Sequence, residues 1–213
     1  KYIESNQKKV NKMTTNIDYT YYVTPNIYGK DINNKIIRMN PSSIFDTLMS
    51  GMGGGQSMGM FSQIVDDDKM LKDKYNIIEG KIPTEYNEVA IILPDENHIS
   101  DLLLYALGLK DASKVDDMIT KIYAGEKIEE TKETKVFTPE DLLNIEMKLI
   151  KTTDLYKYNP EYNIYEDMST NEEYLTNVYN NSLNIKIVGI LKPKEKGGAS
   201  SLAAGVGYRS SMI

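Results

Sequence analysis

Five consecutive apolar residues, Val89 to Leu93, close the stretch "YNIIEGKIPTEYNEVAIIL". A strand with one wet face alternates polar and apolar residues, whereas an unbroken apolar run of this length reads as a strand buried on both faces. The chain must therefore supply packing on two sides of that strand. Gly80 and Pro83 mark a turn just before it. Glu88 enters the strand itself, so its carboxylate needs donors close by, and the backbone N–H groups of the turn are the natural source.

The rest of the chain mixes strand and helix signals. Ile17, Tyr19, Tyr21 and Val23 alternate as one face of a strand, "KIIRM" reads as a second, and "YNII" as a third. Asn40, Pro41 and Gly51 frame a helix in "NPSSIFDTLMSG". "FSQIVDDDKMLKDKY" reads as one or two short helices, and "SDLLLYALG" as a helix ended by Gly108. Ser113 caps a further helix with Val115, Met118, Ile119 and Ile122 on one face. Thr138 caps another that has Pro139 at its first position, and Ile145, Met147 and Leu149 then alternate along a strand. "DLYKYNPEYNIYED" is a tyrosine-rich hairpin. Ser169 and Glu172 have the spacing of a capping box at the start of a helix reaching about Tyr179. "LNIKIVGIL" is the last expected strand, ending at Pro193. The expected class is α+β, a mixed sheet with packed helices, forming a single domain over residues 1–213 as one compact unit or two lobes.

Composition narrows the function. The net charge is −6 and the basic residues are dispersed, which argues against a nucleic-acid partner. With no cysteine there is no disulfide, thiolate nucleophile or zinc–sulfur site. The single histidine, His98, sits in a polar turn with no serine elbow of the G-x-S-x-G kind anywhere in the chain. Asp66, Asp67 and Asp68 lack the spacing of a calcium loop and read as a solvated acidic turn. "GGASSLAAGVG" lacks the lysine of a phosphate loop. We expect no catalytic residues, no metal and no cofactor.

The methionine-rich stretch "MSGMGGGQSMGM" has three readings: a Cu(I) site, a soft apolar contact for a ligand or partner, and a mobile loop between folded segments. Thioethers can hold Cu(I), but such sites usually recruit histidine or cysteine as well, and methionine is common wherever an adaptable apolar surface is wanted. Met49, Met52, Met58 and Met60, with Phe61 beside them, are therefore the candidate contact for a ligand or partner.

Two segments resemble a known family. Gly80, Pro83 and Glu88 in "EGKIPTEYNE" match the G-x-x-P-x-x-x-x-E pattern of the extracytoplasmic core domain of MacB- and FtsX-type ABC transporter permeases. "IKIVGILKPKEKGGASSLAAGVGY", about a hundred residues on, resembles that family's closing strand and its lead back to the membrane, through Gly189, Pro193, Gly205, Gly207 and Tyr208. The resemblance implies an extracytoplasmic (MacB-like periplasmic core) domain lying between the first and second membrane helices of a bacterial permease. The permease would be dimeric and served by a separate cytosolic ATPase domain or subunit. The domain would engage a peptide or lipid substrate, or a partner, and would be moved by the helices without being an enzyme. On this view the chain, starting at Lys1 and stopping at "GYRSSMI", is expected to be part of a longer polypeptide, and the small residues after Pro193 form a hinge or linker. The alternative is a secreted cell-wall sugar or peptide binding module or hydrolase, marked by a tyrosine-lined groove or two facing carboxylates.

Overall fold

The computed structural model describes residues 2–14, 17, 19, 23, 25–39, 61–93, 101–111, 114, 120, 124, 137–194 and 204–213. In chain order these form helices α1 (Tyr2–Ser5) and α2 (Gln7–Val10), strands β1 (Ile27–Lys30), β2 (Ile36–Arg38) and β3 (Phe61–Gln63), and helix α3 (Asp68–Lys74). Strands β4 (Tyr75–Gly80) and β5 (Glu88–Ile92), helices α4 (Asp101–Ala106) and α5 (Pro139–Leu143), and strand β6 (Met147–Leu149) follow. The chain then runs through the hairpin β7 (Tyr156–Asn159) and β8 (Ile164–Asp167), helix α6 (Glu172–Asn181), and strands β9 (Leu183–Pro193) and β10 (Gly205–Tyr208).

Eight strands join in one mixed sheet, ordered β2-β1-β6-β9-β5-β10-β3, with β4 paired to β9 as well. The fold is α+β, as expected. β5 runs parallel to β9, and β10 runs parallel to β3 but antiparallel to β5. At eleven residues, β9 is long enough to hold β6 along Leu183–Ile185 and β4 along Gly189–Pro193. It is the strand through which the two halves of the sheet meet.

Val89 to Ile92 are buried on both faces of the sheet. Val89 and Ile91 enter one apolar cluster with Leu103, Leu107 and Leu142, while Ala90 and Ile92 enter another with Ile64, Leu71 and Tyr75. All four β5 residues are at 0% exposure. Burying each of the larger side chains contributes about 1.5–3 kcal/mol, so this strand is the fold's anchor. A third cluster, of Tyr28, Ile150, Leu155, Leu175 and Tyr179, seats α6 against the β1 end of the sheet.

Several local expectations are met in detail. Thr138 forms a complete capping box with Asp141, and Pro139 follows it. The tyrosine hairpin and the Met147 strand are present. Others are corrected. "FSQ" is strand β3 and not the start of a helix, because its backbone pairs with β10. Helix α6 is capped by Asn171, whose side chain accepts from the Tyr174 N–H at 2.9 Å. Ser169 instead donates its own N–H to Asp167 at 2.8 Å. Strand β1 had no counterpart in the sequence reading. The helices expected over 41–50 and after Ser113, most of the strand expected over 17–23, and His98 lie outside the described residues.

The largest correction concerns "GVGY". Gly205, Val206 and Gly207 are expected in a hinge or linker, but together with Tyr208 they form the fully buried strand β10 between β5 and β3. β9 is therefore not the last strand. Glycine is a poor strand former in isolation. Here it is required by packing, since a Cβ on Gly207 would stand 2.5 Å from an Ile64 methyl and 3.0 Å from Ile92.

Candidate functional site

Gly80, Glu88, Gly189, Gly207 and Tyr208, five of the residues that carry the family resemblance, lie on adjoining strands. Gly80 pairs with Gly189 across β4 and β9, Gly189 pairs with Ala90 of β5, and Ala90 pairs with Gly207 of β10. Gly80 lies at φ 73°, a left-handed conformation that favours glycine. The register slips at Val188, whose carbonyl accepts from the Lys81 N–H at 2.8 Å. The close approach leaves no room for side chains: a Cβ on Gly189 would lie 2.0 Å from the Lys81 carbonyl oxygen.

The turn after Gly80 folds around the Glu88 carboxylate. One oxygen accepts from the Thr84 N–H at 2.9 Å, the Glu85 N–H at 3.2 Å and the Thr84 hydroxyl at 3.3 Å. The other is paired with the Lys81 ammonium at 2.7 Å. Burial opposes ionisation of Glu88, but these donors outweigh it and bring the pKa from 4.5 down to about 2. The sequence reading of Glu88, an acid satisfied by donors from the turn, describes what is observed.

A pKa lowered on folding gives stability that is fully present above the unfolded value and lost as pH falls through the folded one. The share due to Glu88 should therefore be intact above pH 4.5 and disappear towards about pH 2. The Glu88→Gln variant should be about 2–3 kcal/mol less stable at pH 7 and lack that part of the acid dependence. Urea unfolding midpoints of both proteins between pH 7 and pH 2 check this. Parallel profiles for the two would contradict it.

Arg209, which the sequence did not single out, ties this turn to the rest of the fold. It follows β10 directly and is buried. Its Nε donates to the Pro83 carbonyl at 2.9 Å and its Nη1 to the Val65 carbonyl at 3.1 Å. Its Nη2 pairs with Asp68, and Asp66 stands 3.8 Å away. One guanidinium fork thus joins the Pro83 turn, the connection between β3 and α3, and the end of β10. The three aspartates divide the work. Asp67 caps α3 by accepting from the Lys69 and Met70 N–H groups, Asp68 faces the arginine, and Asp66 accepts from the Ser210 hydroxyl. The solvated acidic turn of the sequence reading is in fact a structural node.

Beside the node lies an open cleft of about 280 Å³ lined by Asp66, Asp68, Thr84, Arg209, Ser210 and Ser211. That is just below the range of about 300–1,000 Å³ usual for ligand pockets. Its lining is polar, but Asp68 and Asp66 are already engaged by Arg209 and the Ser210 hydroxyl. The Ser210–Asp66 pair has no imidazole beside it among the described residues. A carboxylate alone is a poor base towards a serine hydroxyl. No group of three or more His, Cys, Asp or Glu side chains is placed to hold a metal ion among the described residues.

Of the remaining sequence candidates, Pro193 ends β9 opposite Tyr75, and Met49, Met52, Met58 and Met60 lie outside the described residues. Phe61 is 9% exposed, pairs with Val206 and packs in the main apolar cluster, so its ring is occupied inside the protein.

Compared with protein-family models, with curated proteins and with solved structures, the chain matches none. Among the described residues no helix is long and apolar enough to cross a membrane.

Proposed function

We propose that this chain is the extracytoplasmic domain of an ABC transporter permease of the MacB and FtsX type. In this reading it is a stiff body that passes displacement between membrane helices and a bound peptide, lipid or partner, and carries out no covalent chemistry itself. Its companions are a cytosolic ATPase and a second permease subunit. The observation that carries the reading is the convergence of Gly80, Glu88, Gly189, Gly207 and Tyr208 on adjoining strands, although the two matching segments are about a hundred residues apart in sequence. Chance likeness of two unrelated loops gives no reason for them to pack together.

The role also fits the mechanics. A domain that transmits motion needs discrete, well-packed contacts where force enters, since a yielding body dissipates displacement. The β9–β5–β10 core with the Arg209 node meets that need. It also changes the part played by "GVGY", which becomes a clamped strand that hands motion directly to the central sheet.

The coding sequence on either side of residues 1–213 provides the test. The proposal expects a stretch of about 20 apolar residues close to each end, enough to span a bilayer. Hydrophilic flanks on both sides would overturn it.

A further inference from the structure

The β7–β8 hairpin stands apart from the main sheet as its own two-stranded unit. Its register places Tyr156 opposite Asp167, Lys157 opposite Glu166, and Tyr158 opposite Tyr165. Alternation along each strand therefore puts Tyr156, Tyr158, Tyr165 and Asp167 on one face. The three rings are 41%, 47% and 72% exposed. Such a grouping of aromatic surface is unusual for a region with no partner, since exposed apolar patches mark interaction sites.

The hairpin is also held in shape. Tyr158 donates its hydroxyl to Asn163 at 2.9 Å, and its ring centroid lies 5.3 Å from that of Tyr165. The Asn159 side chain accepts from the Glu161 N–H across the turn and donates to Glu166. At the base, the Met168 N–H donates to the Leu155 carbonyl and Tyr174 donates to the Tyr156 carbonyl. A preorganised aromatic face loses little side-chain entropy when it binds.

Charge selects the partner. Between Lys151 and Glu173 the sequence has six carboxylates and two lysines, a local charge of −4 within a chain of −6. Asp167 is on the tyrosine face, with its carboxylate fixed by the Ser169 N–H and no cation paired with it among the described residues. Anionic lipid and nucleic acid are repelled by this field. A neutral sugar would use the rings but not the charge. A cation uses both, because the face of a tyrosine attracts ammonium and guanidinium groups. The same chain already places lysines over tyrosine rings elsewhere, with Lys30 and Lys148 at 5.7 and 5.6 Å from the Tyr179 centroid.

We propose that the Tyr156–Tyr158–Tyr165–Asp167 face of the hairpin binds a basic peptide segment, its lysine or arginine side chains lying over the rings and pairing with Asp167. This inference does not depend on the permease reading. A secreted binding module would use the face in the same way.

The test is a fluorescence-anisotropy titration of the full chain with a labelled peptide of about ten residues alternating lysine and serine, at low salt. Saturable binding is expected, weakening as salt rises. The double variant Tyr158→Leu, Tyr165→Leu should bind about tenfold more weakly, while Tyr158→Phe, Tyr165→Phe should stay within about twofold of the parent chain. Asp167→Asn should cost about threefold. Circular dichroism and urea midpoints unchanged from the parent show that the variants are folded. The proposal is overturned if the basic peptide does not bind, if the leucine variant binds as well as the parent chain, or if a glutamine–serine peptide or a chito-oligosaccharide binds equally well.

Discussion

Replacing Gly189 with alanine should destabilise the protein by about 3–5 kcal/mol, a large share of the roughly 5–15 kcal/mol that holds a domain of this kind together. The reason is the chemical nature of the obstacle. The new Cβ would stand 2.0 Å from the Lys81 carbonyl oxygen and 2.9 Å from its carbon, and both are backbone atoms in the turn that Glu88 organises. No rotamer change relieves the clash, so β4 must part from β9 or the Val188 bulge must be rebuilt. Gly207→Ala makes a useful contrast. Its Cβ meets side-chain methyls of Ile64 and Ile92, which can shift with less disruption than a backbone carbonyl, and the cost should be about 1–3 kcal/mol. Urea unfolding of the two variants at neutral pH measures both, and the midpoint of the Gly189 variant should fall much further. The reverse order would mean that the β4–β9 approach is looser than described.

The second large effect is at Arg209. Arg209→Met keeps the stem's packing but leaves the Pro83 and Val65 carbonyls without their donor. An unsatisfied buried acceptor costs about 1–3 kcal/mol. The Asp68 pair adds less, because that carboxylate is 54% exposed and water can replace the guanidinium there. The total is about 2–5 kcal/mol. Arg209→Lys should recover only part of it, since a single ammonium cannot match a fork that reaches two carbonyls and a carboxylate at once. Thermal or urea unfolding distinguishes the three proteins. A lysine variant as stable as the parent chain would show that charge alone matters at this node.

Much of the architecture could be read from the sequence wherever one local pattern decided it. Val89 to Leu93 has no polar face, so burial on both sides followed. Glu88 beside a Gly-Pro turn could be satisfied only by nearby donors, and it is. Thr138-Pro139 with an acid at the third position has the chemistry of a helix start. What escaped was decided by distant contacts. β10 contains two glycines in four residues and resembles a linker until Ile64 and Ile92 are seen to fill the space above Gly207. β3 is three residues long and exists because β10 pairs with it. Arg209 has no local signature, since its carbonyl partners lie 126 and 144 positions away. The capping residue of α6 was misassigned because Ser169 and Asn171 both have suitable side chains, and only the backbone path shows which one faces the free N–H of Tyr174.

Three of these, β10, β3 and Arg209, fall at the β3 end of the sheet, away from α6, and that is where the proposed coupling role places its demands. A linker would let the chain beyond β10 move while the core stayed still. A clamped strand transmits that motion. Native-state hydrogen exchange on the full chain separates the two. The amides of Val206 to Tyr208 should exchange only as slowly as those of Val89 to Ile92 and Ile187 to Leu191, with one common opening free energy equal to that of global unfolding. Arg209→Met should lower that free energy for β10 more than for β5. If the β10 amides of the parent chain exchange by a separate, lower-energy opening while β5 and β9 remain protected, the strand behaves as a hinge and the account of force transmission through it is wrong.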